Sequence, residues 1–174
     1  MKKILIFSLA LCMILSISVY AAPMEEIEEY AAMDFRYNAN GVITDYYGES
    51  DYIQIPAEID GTAITAVGEY AFAGRNVKSV FIEEGIQTIG KGCFEETDIE
   101  DIDLPQTLTY ISDNAFANCK KLTSVWINSY NFEIADAAFS GTGFVEFCIH
   151  CSLTDQADDM IQKAKGDSNY RLQL

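Results

Sequence analysis

The sequence predicts an α/β solenoid, in which short strands of successive coils stack side by side as a parallel sheet. Two observations support this prediction. Four phenylalanines recur at intervals of 22, 22 and 23 residues: Phe72, Phe94, Phe116 and Phe139. An apolar pattern of the form L-x-x-V-x-I begins about five or six residues after each of them. A fixed period in the low twenties is typical of a chain built from stacked coils of one kind.

The residues before each phenylalanine also fall into columns, with an apolar residue, a small residue and a second small residue at fixed positions. The four copies are Val67-Gly68-x-x-Ala71-Phe72, Ile89-Gly90-x-x-Cys93-Phe94, Ile111-Ser112-x-x-Ala115-Phe116 and Ile134-Ala135-x-x-Ala138-Phe139. This repetition indicates a leucine-rich repeat, a right-handed coil with a short-stranded parallel sheet, an N-terminal hairpin cap and a C-terminal helix cap. The phenylalanines are predicted to lie in its core.

Four segments are expected along the 174 residues, of which 49% are apolar, enough for one continuous core. They are a signal peptide (1–21), an N-terminal arm and capping hairpin (22–51), the leucine-rich repeats (52–151) and a C-terminal capping helix with a short strand (152–174).

The first 21 residues have the pattern of a secretory signal. Lys2 and Lys3 precede an apolar run over 4–19, and small residues follow at a position where a signal peptidase would cut. The alternative, a membrane anchor, is disfavoured because the run is short for a spanning helix and no basic stop-transfer flank follows it. We therefore expect a secreted or extracytoplasmic protein with no evident anchor and no membrane insertion after cleavage.

The charge of the chain restricts its partners. The net charge is −16, and it becomes −18 without residues 1–21, which hold two of the 11 basic residues and none of the 27 acidic ones. Such a surface repels nucleic acid and anionic lipid. It favours solubility and, more weakly, a cationic or calcium-bridged partner.

An N-terminal hairpin is predicted just before the repeats. The segments 34–38 and 42–47 read as its two strands, and Asn40-Gly41 between them readily adopts the positive φ values of a tight turn. We expect this hairpin to cover the open end of the solenoid.

Each L-x-x-V-x-I segment is predicted to be a short strand whose second and third apolar residues point inward. Pro56 and Pro105 directly follow such segments and would end the strands. Gly68 and Gly90 would let the chain turn before a brief helical turn brings each phenylalanine into the core. The apolar triplets are Val77-Val80-Ile82, Ile99-Ile102-Leu104, Leu122-Val125-Ile127 and Phe144-Phe147-Ile149, with Ile53 and Ile55 as an incomplete first copy.

A capping helix is predicted after Cys151, with Ser152 as its N-cap. Gly166 would end it, and a final strand would follow with Tyr170, Leu172 and Leu174 alternating. The apolar stripe of the helix comprises Leu153, Ala157, Met160, Ile161 and Ala164, and the side predicted to face away comprises Asp155, Asp158, Asp159, Gln162 and Lys165.

The cysteines are interpreted mainly as packing residues. Cys93 stands in a column otherwise held by alanine, and Cys119 follows a turn, so both are expected in the core. Cys148, His150 and Cys151 invite a metal or redox interpretation, which we disfavour because the strand pattern leaves too few ligands on one face. No metal, other cofactor or obligatory disulfide is expected.

Several runs resemble BspA-type leucine-rich repeat proteins, over roughly residues 40–165. They are 42–48 (VITDYYG), 53–56 (IQIP), 64–74 (ITAVGEYAFAG) and 122–125 (LTSV). The family is found mainly in exported or surface proteins of host-associated bacteria and some parasitic protozoa. The resemblance implies protein–protein interaction, including adhesion to host proteins, and it brings no catalytic residues.

The candidate binding surface is the outer side of the strands, where outward residues alternate with the core residues. One predicted column is Tyr52, Ser79, Asp101, Ser124 and Glu146, and the next is Gln54, Phe81, Asp103, Trp126 and Cys148. The proposed contact residues are Tyr52, Gln54, Phe81, Asp101, Asp103 and Trp126. Exposed aromatic residues recur at binding hot spots, although a neighbouring loop or the flat sheet could instead partly cover them.

The sequence also bears on two other functional classes. An enzyme is disfavoured because the chain has one histidine, no G-x-S-x-G motif and no phosphate-binding loop. A secreted component that assembles with copies of itself is the main alternative to binding a host or bacterial extracellular protein.

Overall fold

A computed structural model describes residues 34–149, 154–167 and 169–173. The predicted signal peptide and the arm up to residue 33 lie outside this part of the chain. Its strands are β1 (Phe35–Tyr37), β2 (Val42–Tyr46), β3 (Tyr52–Ile55), β4 (Glu58–Ile59), β5 (Thr62–Ala63), β6 (Ala66–Val67), β7 (Ser79–Ile82), β8 (Thr88–Ile89), β9 (Asp101–Leu104), β10 (Tyr110–Ile111), β11 (Ser124–Ile127), β12 (Glu133–Ile134), β13 (Val145–Ile149) and β14 (Tyr170–Gln173), with one helix, α1 (Thr154–Lys165).

The chain forms a solenoid with two six-stranded sheets. The long-strand sheet has the order β14-β13-β11-β9-β7-β3, and the short-strand sheet has the order β1-β2-β6-β8-β10-β12. From β3 to β13 each coil contributes one strand of four or five residues to the long-strand sheet. Neighbouring strands of this sheet pair in parallel. The predicted stacked coils and parallel sheet are therefore confirmed.

The long strands alternate between core and surface as predicted. In β9, for example, Ile102 and Leu104 are fully buried, whereas Asp101 and Asp103 are exposed. Strands β3 and β9 end at Ile55 and Leu104, each directly before a proline. Pro lacks the N–H that a further ladder bond would need, which explains why the strands end there.

The short-strand sheet was not predicted. Its repeat strands β6, β8, β10 and β12 have two residues each and place a single residue on the core side, Val67, Ile89, Ile111 or Ile134. Two residues are too few to show an alternation, so the sequence contains no strand signal for them. The expected helical turn before each phenylalanine is also absent from the described coils, which use turns there. The repeats are thus a β-solenoid, and α1 is its helical element.

The phenylalanines form a continuous stack through the core. Phe72, Phe94, Phe116 and Phe139 have no exposed surface, and consecutive ring centroids lie 5.0, 5.3 and 4.9 Å apart. The rings are nearly parallel, with interplanar angles of 16°, 10° and 4°. Each ring therefore covers the next, and the predicted core position of the phenylalanines is confirmed.

Backbone hydrogen bonds hold the phenylalanine turns of neighbouring coils together. The amide of Phe94 donates to the carbonyl of Ala115 at 2.7 Å, and the amide of Phe116 donates to that of Ala138 at 2.8 Å. These bonds satisfy peptide groups that would otherwise be buried without partners. The phenylalanine turns therefore provide a third set of contacts between coils, in addition to the two sheets.

Each of these turns contains two residues with positive φ, two positions before and two positions after the phenylalanine. The first column is Tyr70, Gly92, Asn114 and Ala137, and the second is Gly74, Glu96, Asn118 and Gly141, with φ between 55° and 71°. Gly and Asn adopt this conformation readily, whereas Tyr, Glu and Ala adopt it at a cost.

Ala137→Gly is expected to stabilise the protein by about 0.5–1 kcal/mol, because the left-handed penalty that Gly removes at φ 63° exceeds the cost of the entropy that Gly adds to the unfolded chain. Denaturant titration of both forms measures this change. Ala138→Gly is the matched control: Ala138 is fully buried and does not have positive φ, so its replacement should destabilise. Equal effects at the two positions would contradict the backbone explanation.

Gly90 allows close contact between coils rather than a special φ. It lacks a positive φ, but a Cβ at this position would lie 2.6 Å from the carbonyl carbon of Gly68. Gly68 likewise brings the chain close to Ile43, whose carbonyl oxygen would lie 2.6 Å from an added Cβ. The prediction that these glycines permit a turn is therefore corrected: they permit close packing of backbone on backbone.

The N-terminal hairpin forms and caps the stack. Strands β1 and β2 pair antiparallel, and β2 continues the short-strand sheet by pairing in parallel with β6. The ring of Tyr46 stacks on Phe72 at 5.2 Å, and Phe35 packs on both rings. Of the predicted turn pair, Gly41 has positive φ and Asn40 does not.

A second, smaller hairpin joins β4 and β5 and was missed. Asp60 and Gly61 connect its strands, and both have positive φ, as a tight primed turn requires. The Asp-Gly pair in the sequence was the signal that could have found it. The Tyr37 hydroxyl donates to Asp60 Oδ2 at 3.2 Å, which ties the two hairpins together.

Helix α1 closes the other end. The amides of Ala137 and Phe139 donate to the carbonyls of Lys163 and Ala164 at 3.3 and 2.9 Å, so the last turn of the helix takes the place of another coil. Gly166 ends the helix with φ 77°, as predicted, and β14 pairs in parallel with β13. Ser152 and Leu153 lie outside the described residues.

Two side chains differ from their predicted positions. Lys165 was expected to face away from the core, but it is 1% exposed; its Nζ donates to the carbonyl of Thr142 at 3.3 Å and pairs with Asp167 at 3.2 Å. Phe144 stands in the column of Val77, Ile99 and Leu122, which are buried, but it is 52% exposed, and the next residue, Val145, is buried instead. Strand β13 keeps the predicted register, with Phe147 beside Val125.

Candidate functional site

The outer side of the long-strand sheet, named the strand face below, contains both predicted columns in the predicted register. Parallel pairing places neighbouring members of each column directly side by side. The first column is Tyr52, Ser79, Asp101, Ser124 and Glu146, and the second is Gln54, Phe81, Asp103, Trp126 and Cys148. All six proposed contact residues therefore lie on one continuous surface.

Three aromatic side chains on the strand face are at least half exposed: Tyr52 at 61%, Phe81 at 54% and Trp126 at 50%. The protein covers the rest of each side chain, which agrees in part with the alternative of partial cover. Large exposed aromatic side chains can contribute contact area to an interface at low cost in conformational entropy.

Phe81, Asp103 and Trp126 are consecutive neighbours in the second column. Asn128 fixes the carboxylate between the two rings: its Nδ2 donates to the carbonyl of Leu104 at 3.1 Å and to Asp103 Oδ1 at 2.5 Å. The middle of the strand face is thus an oriented carboxylate between two aromatic side chains.

Strand β14 extends both columns, which the sequence did not indicate. Its Arg171 lies beside Glu146 and its Gln173 lies beside Cys148. Arg171 pairs with Glu146 at 3.7 Å, and Gln173 Nε2 donates to the same carboxylate at 2.6 Å. The alternation of Tyr170 and Leu172 predicted which residues face outward, but nothing in the sequence showed that β14 pairs with β13.

The first coil also has side-chain pairs at the margin of the strand face. Lys78 lies 2.5 Å from Asp51, and this hydrogen bond lowers the pKa of Asp51 and raises that of Lys78. Gln54 donates to Glu83, whose other oxygen accepts from the amide of Ala57 at 2.8 Å. Lys78 and Arg171, at opposite ends of the face, are thus each engaged by an acid.

The described cysteines are free thiols. Cys93 and Cys119 are fully buried, as predicted, and burial raises the pKa of both, that of Cys93 well above its ordinary value. Partial burial raises the pKa of the Cys148 thiol, and the negative charge of Glu146 raises it further. His150 and Cys151 lie outside the described residues. The described residues contain no group of three or more His, Cys, Asp or Glu side chains arranged to hold a metal ion.

At neutral pH we expect Cys93 and Cys119 of the native protein to resist iodoacetamide, because they are buried and their raised pKa keeps them as thiols. Mass spectrometry before and after unfolding measures the modification.

We also expect the thermal midpoint to change little with a reductant or a chelator. A large fall with either would contradict the prediction of a fold without obligatory disulfides or metal.

A groove of about 380 Å³ lies away from the strand face, at the turn side of the coils. Its lining residues are Glu96, Thr97, Asp98, Asn118 and Lys120. The Thr97 hydroxyl donates to the carbonyl of Phe94 at 2.8 Å, and Asp98 pairs with Lys121 at 2.9 Å. The Thr97 hydroxyl and the Asp98 carboxylate are thus engaged by contacts within the protein.

Among the residues that the structure describes, no helix is long and apolar enough to cross a membrane.

Comparison with known proteins agrees with the geometry. Residues 47–165 match the family model described as BspA type leucine-rich repeat region, in six copies. No curated protein sequence matches the chain.

Solved structures of similar fold are bacterial leucine-rich repeat proteins. A leucine-rich repeat protein from Bacteroides capillosus is 26% identical, with a TM-score of 0.55 over 65% of this chain and 91% of the other. The leucine-rich repeat protein of T. pallidum is 20% identical, with a TM-score of 0.50 over 68% of this chain and 71% of the other. The second likeness bears on the fold alone.

Proposed function

This chain belongs to the BspA-type leucine-rich repeat family, and we propose that it is an exported protein-binding module whose partner docks on the strand face. The observation that supports this most directly is the pair Phe81 and Trp126, half exposed on either side of Asp103. A solenoid presents such a face continuously across its coils, which suits it to bind a protein surface.

The position of these rings is unusual for a stable surface. Within the described residues no helix layer lies over either ring, although burying an aromatic side chain of this size would stabilise the fold. Exposed aromatic residues of this kind are enriched at the centres of protein interfaces. The contact residues proposed are Tyr52, Gln54, Phe81, Asp101, Asp103 and Trp126.

The N-terminal sequence and the family support this location and this class of partner. Residues 1–21 have the pattern of a secretory signal, which favours an extracytoplasmic site of action. Members of the family are often exported, so the partner is a bacterial or host extracellular protein, and adhesion to a host protein is one form that this binding takes. The acidic net charge disfavours nucleic acid as a partner.

The experiment compares capture of extracellular proteins by the parent and by three variants. Phe81→Ala and Trp126→Ala should each weaken binding of a captured protein by more than about 1 kcal/mol, roughly fivefold, with little change in thermal midpoint. Tyr110→Ala is the matched control, because Tyr110 is an exposed aromatic residue on the short-strand sheet. It should bind like the parent.

If a protein binds all three variants as tightly as the parent, the strand face is not its site. If Tyr110→Ala alone weakens binding, the partner docks on the opposite sheet. Either outcome would overturn the proposal.

Self-assembly is the second candidate, and the ends of the long-strand sheet favour it. Within the described residues, β3 and β14 each pair on one side only. An edge strand can pair with another chain, and parallel edges at opposite ends would add copies head to tail. Analytical ultracentrifugation distinguishes the two: a mass that grows with concentration favours assembly, and a constant monomer mass favours the binding module.

A further inference from the structure

We propose that the partner inserts an arginine side chain between Phe81 and Trp126, where its guanidinium pairs with Asp103. This inference rests on the proposed function of the strand face and deepens it, because it names the chemistry of the partner's central contact.

The spacing of the strands sets the width of the site. Phe81, Asp103 and Trp126 lie on three adjacent parallel strands, in register. Adjacent strands are about 4.8 Å apart, so the Cα atoms of Phe81 and Trp126 are about 10 Å apart. Side chains stand roughly perpendicular to a sheet, so the two rings leave room between them for about one flat group, with the Asp103 carboxylate at the base.

The carboxylate is positioned before any ligand arrives. Asn128 is held by the carbonyl of Leu104 and in turn donates to Asp103 Oδ1. A ligand donor can approach the second oxygen, Oδ2, without displacing Asn128, because each carboxylate oxygen accepts separately. Binding at an oriented carboxylate loses less conformational entropy than binding at a mobile one.

The charges around the site are complementary to a cation. Asp101 is exposed on the same strand, two residues from Asp103. The basic residues nearest the face, Lys78 and Arg171, lie toward its ends and are paired with Asp51 and Glu146. The centre of the face therefore keeps a net negative charge, which attracts a basic side chain.

Arginine fits this arrangement better than lysine. Its guanidinium is planar, so it can stack on the faces of Phe81 and Trp126 while its N–H groups donate to Asp103. The lysine ammonium is compact and strongly hydrated, and it makes one of these contacts well rather than both. A neutral side chain of the same shape would keep the stacking and lose the charge pair.

The probe is a pair of heptapeptides of Gly and Ser that differ in the central residue, arginine in one and citrulline in the other. Trp126 is the single tryptophan of the chain, so its fluorescence reports directly on this site. The arginine peptide should change the emission in a saturable way and bind about fivefold or more tighter than the citrulline peptide. Added salt should reduce this difference.

Two matched variants locate the charge. Asp103→Asn keeps the shape of the side chain and should abolish most of the preference for arginine over citrulline. Asp113→Asn removes an exposed acid in a turn, away from the strand face, and should keep the preference. Circular dichroism of both variants confirms that the fold is retained.

The outcomes separate this inference from the proposed function. If both peptides bind equally, or if Asp103→Asn and Asp113→Asn behave alike, the arginine inference is overturned, whereas capture that depends on Phe81 and Trp126 still supports the strand face. If capture does not depend on these rings but the arginine preference does depend on Asp103, the pocket is real and the proposed function fails.

Discussion

Phe94→Ala is expected to lower the free energy of unfolding by about 3–5 kcal/mol, the usual cost of deleting a buried phenylalanine ring. Phe94 has no exposed surface and stacks on Phe72 at 5.0 Å and on Phe116 at 5.3 Å. Its neighbours cannot move together to fill the gap, because the backbone bonds of the turns fix the distance between coils. Denaturant titration followed by circular dichroism measures the loss.

Phe81→Ala is the control for this prediction, because it deletes the same ring from the surface. Phe81 is 54% exposed, so its loss should cost less than about 1 kcal/mol. If the two substitutions cost the same, the phenylalanine stack is not the principal core of the repeats.

Lys165→Ala is expected to cost about 2–4 kcal/mol, in the range found when a buried side chain of similar length is truncated. The alkyl chain of Lys165 is buried beneath the last coil, and its Nζ donates to the carbonyl of Thr142 and pairs with Asp167. The truncation removes the packing of the alkyl chain and leaves a buried carbonyl without its donor. Thermal unfolding at a fixed pH gives the change in midpoint.

Two variants separate packing from charge at this position. Lys165→Met keeps the alkyl chain and loses only the polar contacts, so it should cost about 1–2 kcal/mol. Lys163→Ala removes a lysine whose side chain is 61% exposed and paired with Asp159, and it should leave the thermal midpoint nearly unchanged. An equal, small effect at 163 and 165 would contradict the buried position of Lys165.

The repeat core could be predicted from the sequence because its signal is repeated. A single apolar residue says little about its position, but Phe72, Phe94, Phe116 and Phe139 occupy one column four times. The same repetition predicted the inward residues of the long strands. It also predicted their ends, because Pro56 and Pro105 cannot continue a sheet.

The predictions that failed concern features without repetition. Phe144 stands in an apolar column by spacing, yet it is exposed, and the next residue, Val145, is buried on the core side of β13. Lys165 is polar by type, and only the arrangement of helix and last coil shows that its alkyl chain is enclosed. The short strands give no signal because one inward residue per strand cannot show a period.

The sequence predicted which surface would form the candidate site, but it did not identify the binding partner. Alternation within each strand predicted that Phe81, Asp103 and Trp126 face outward, and the repeat spacing predicted that they are neighbours. The hydrogen bond that orients Asp103 depends on Asn128, one residue past the end of β11, and no sequence pattern indicates this bond. Their role in binding stays a prediction until a partner is measured.

The common register of the coils has a consequence for how such a protein evolves. A duplication or deletion of one 22-residue unit, the interval from Phe94 to Phe116, would add or remove one ring of the stack and one position in each outward column. The inward positions stay alike from unit to unit, whereas the outward positions Asp103 and Trp126 already differ between adjacent units. Recombination can therefore lengthen and diversify the exposed surface while the packing of the core stays the same from unit to unit.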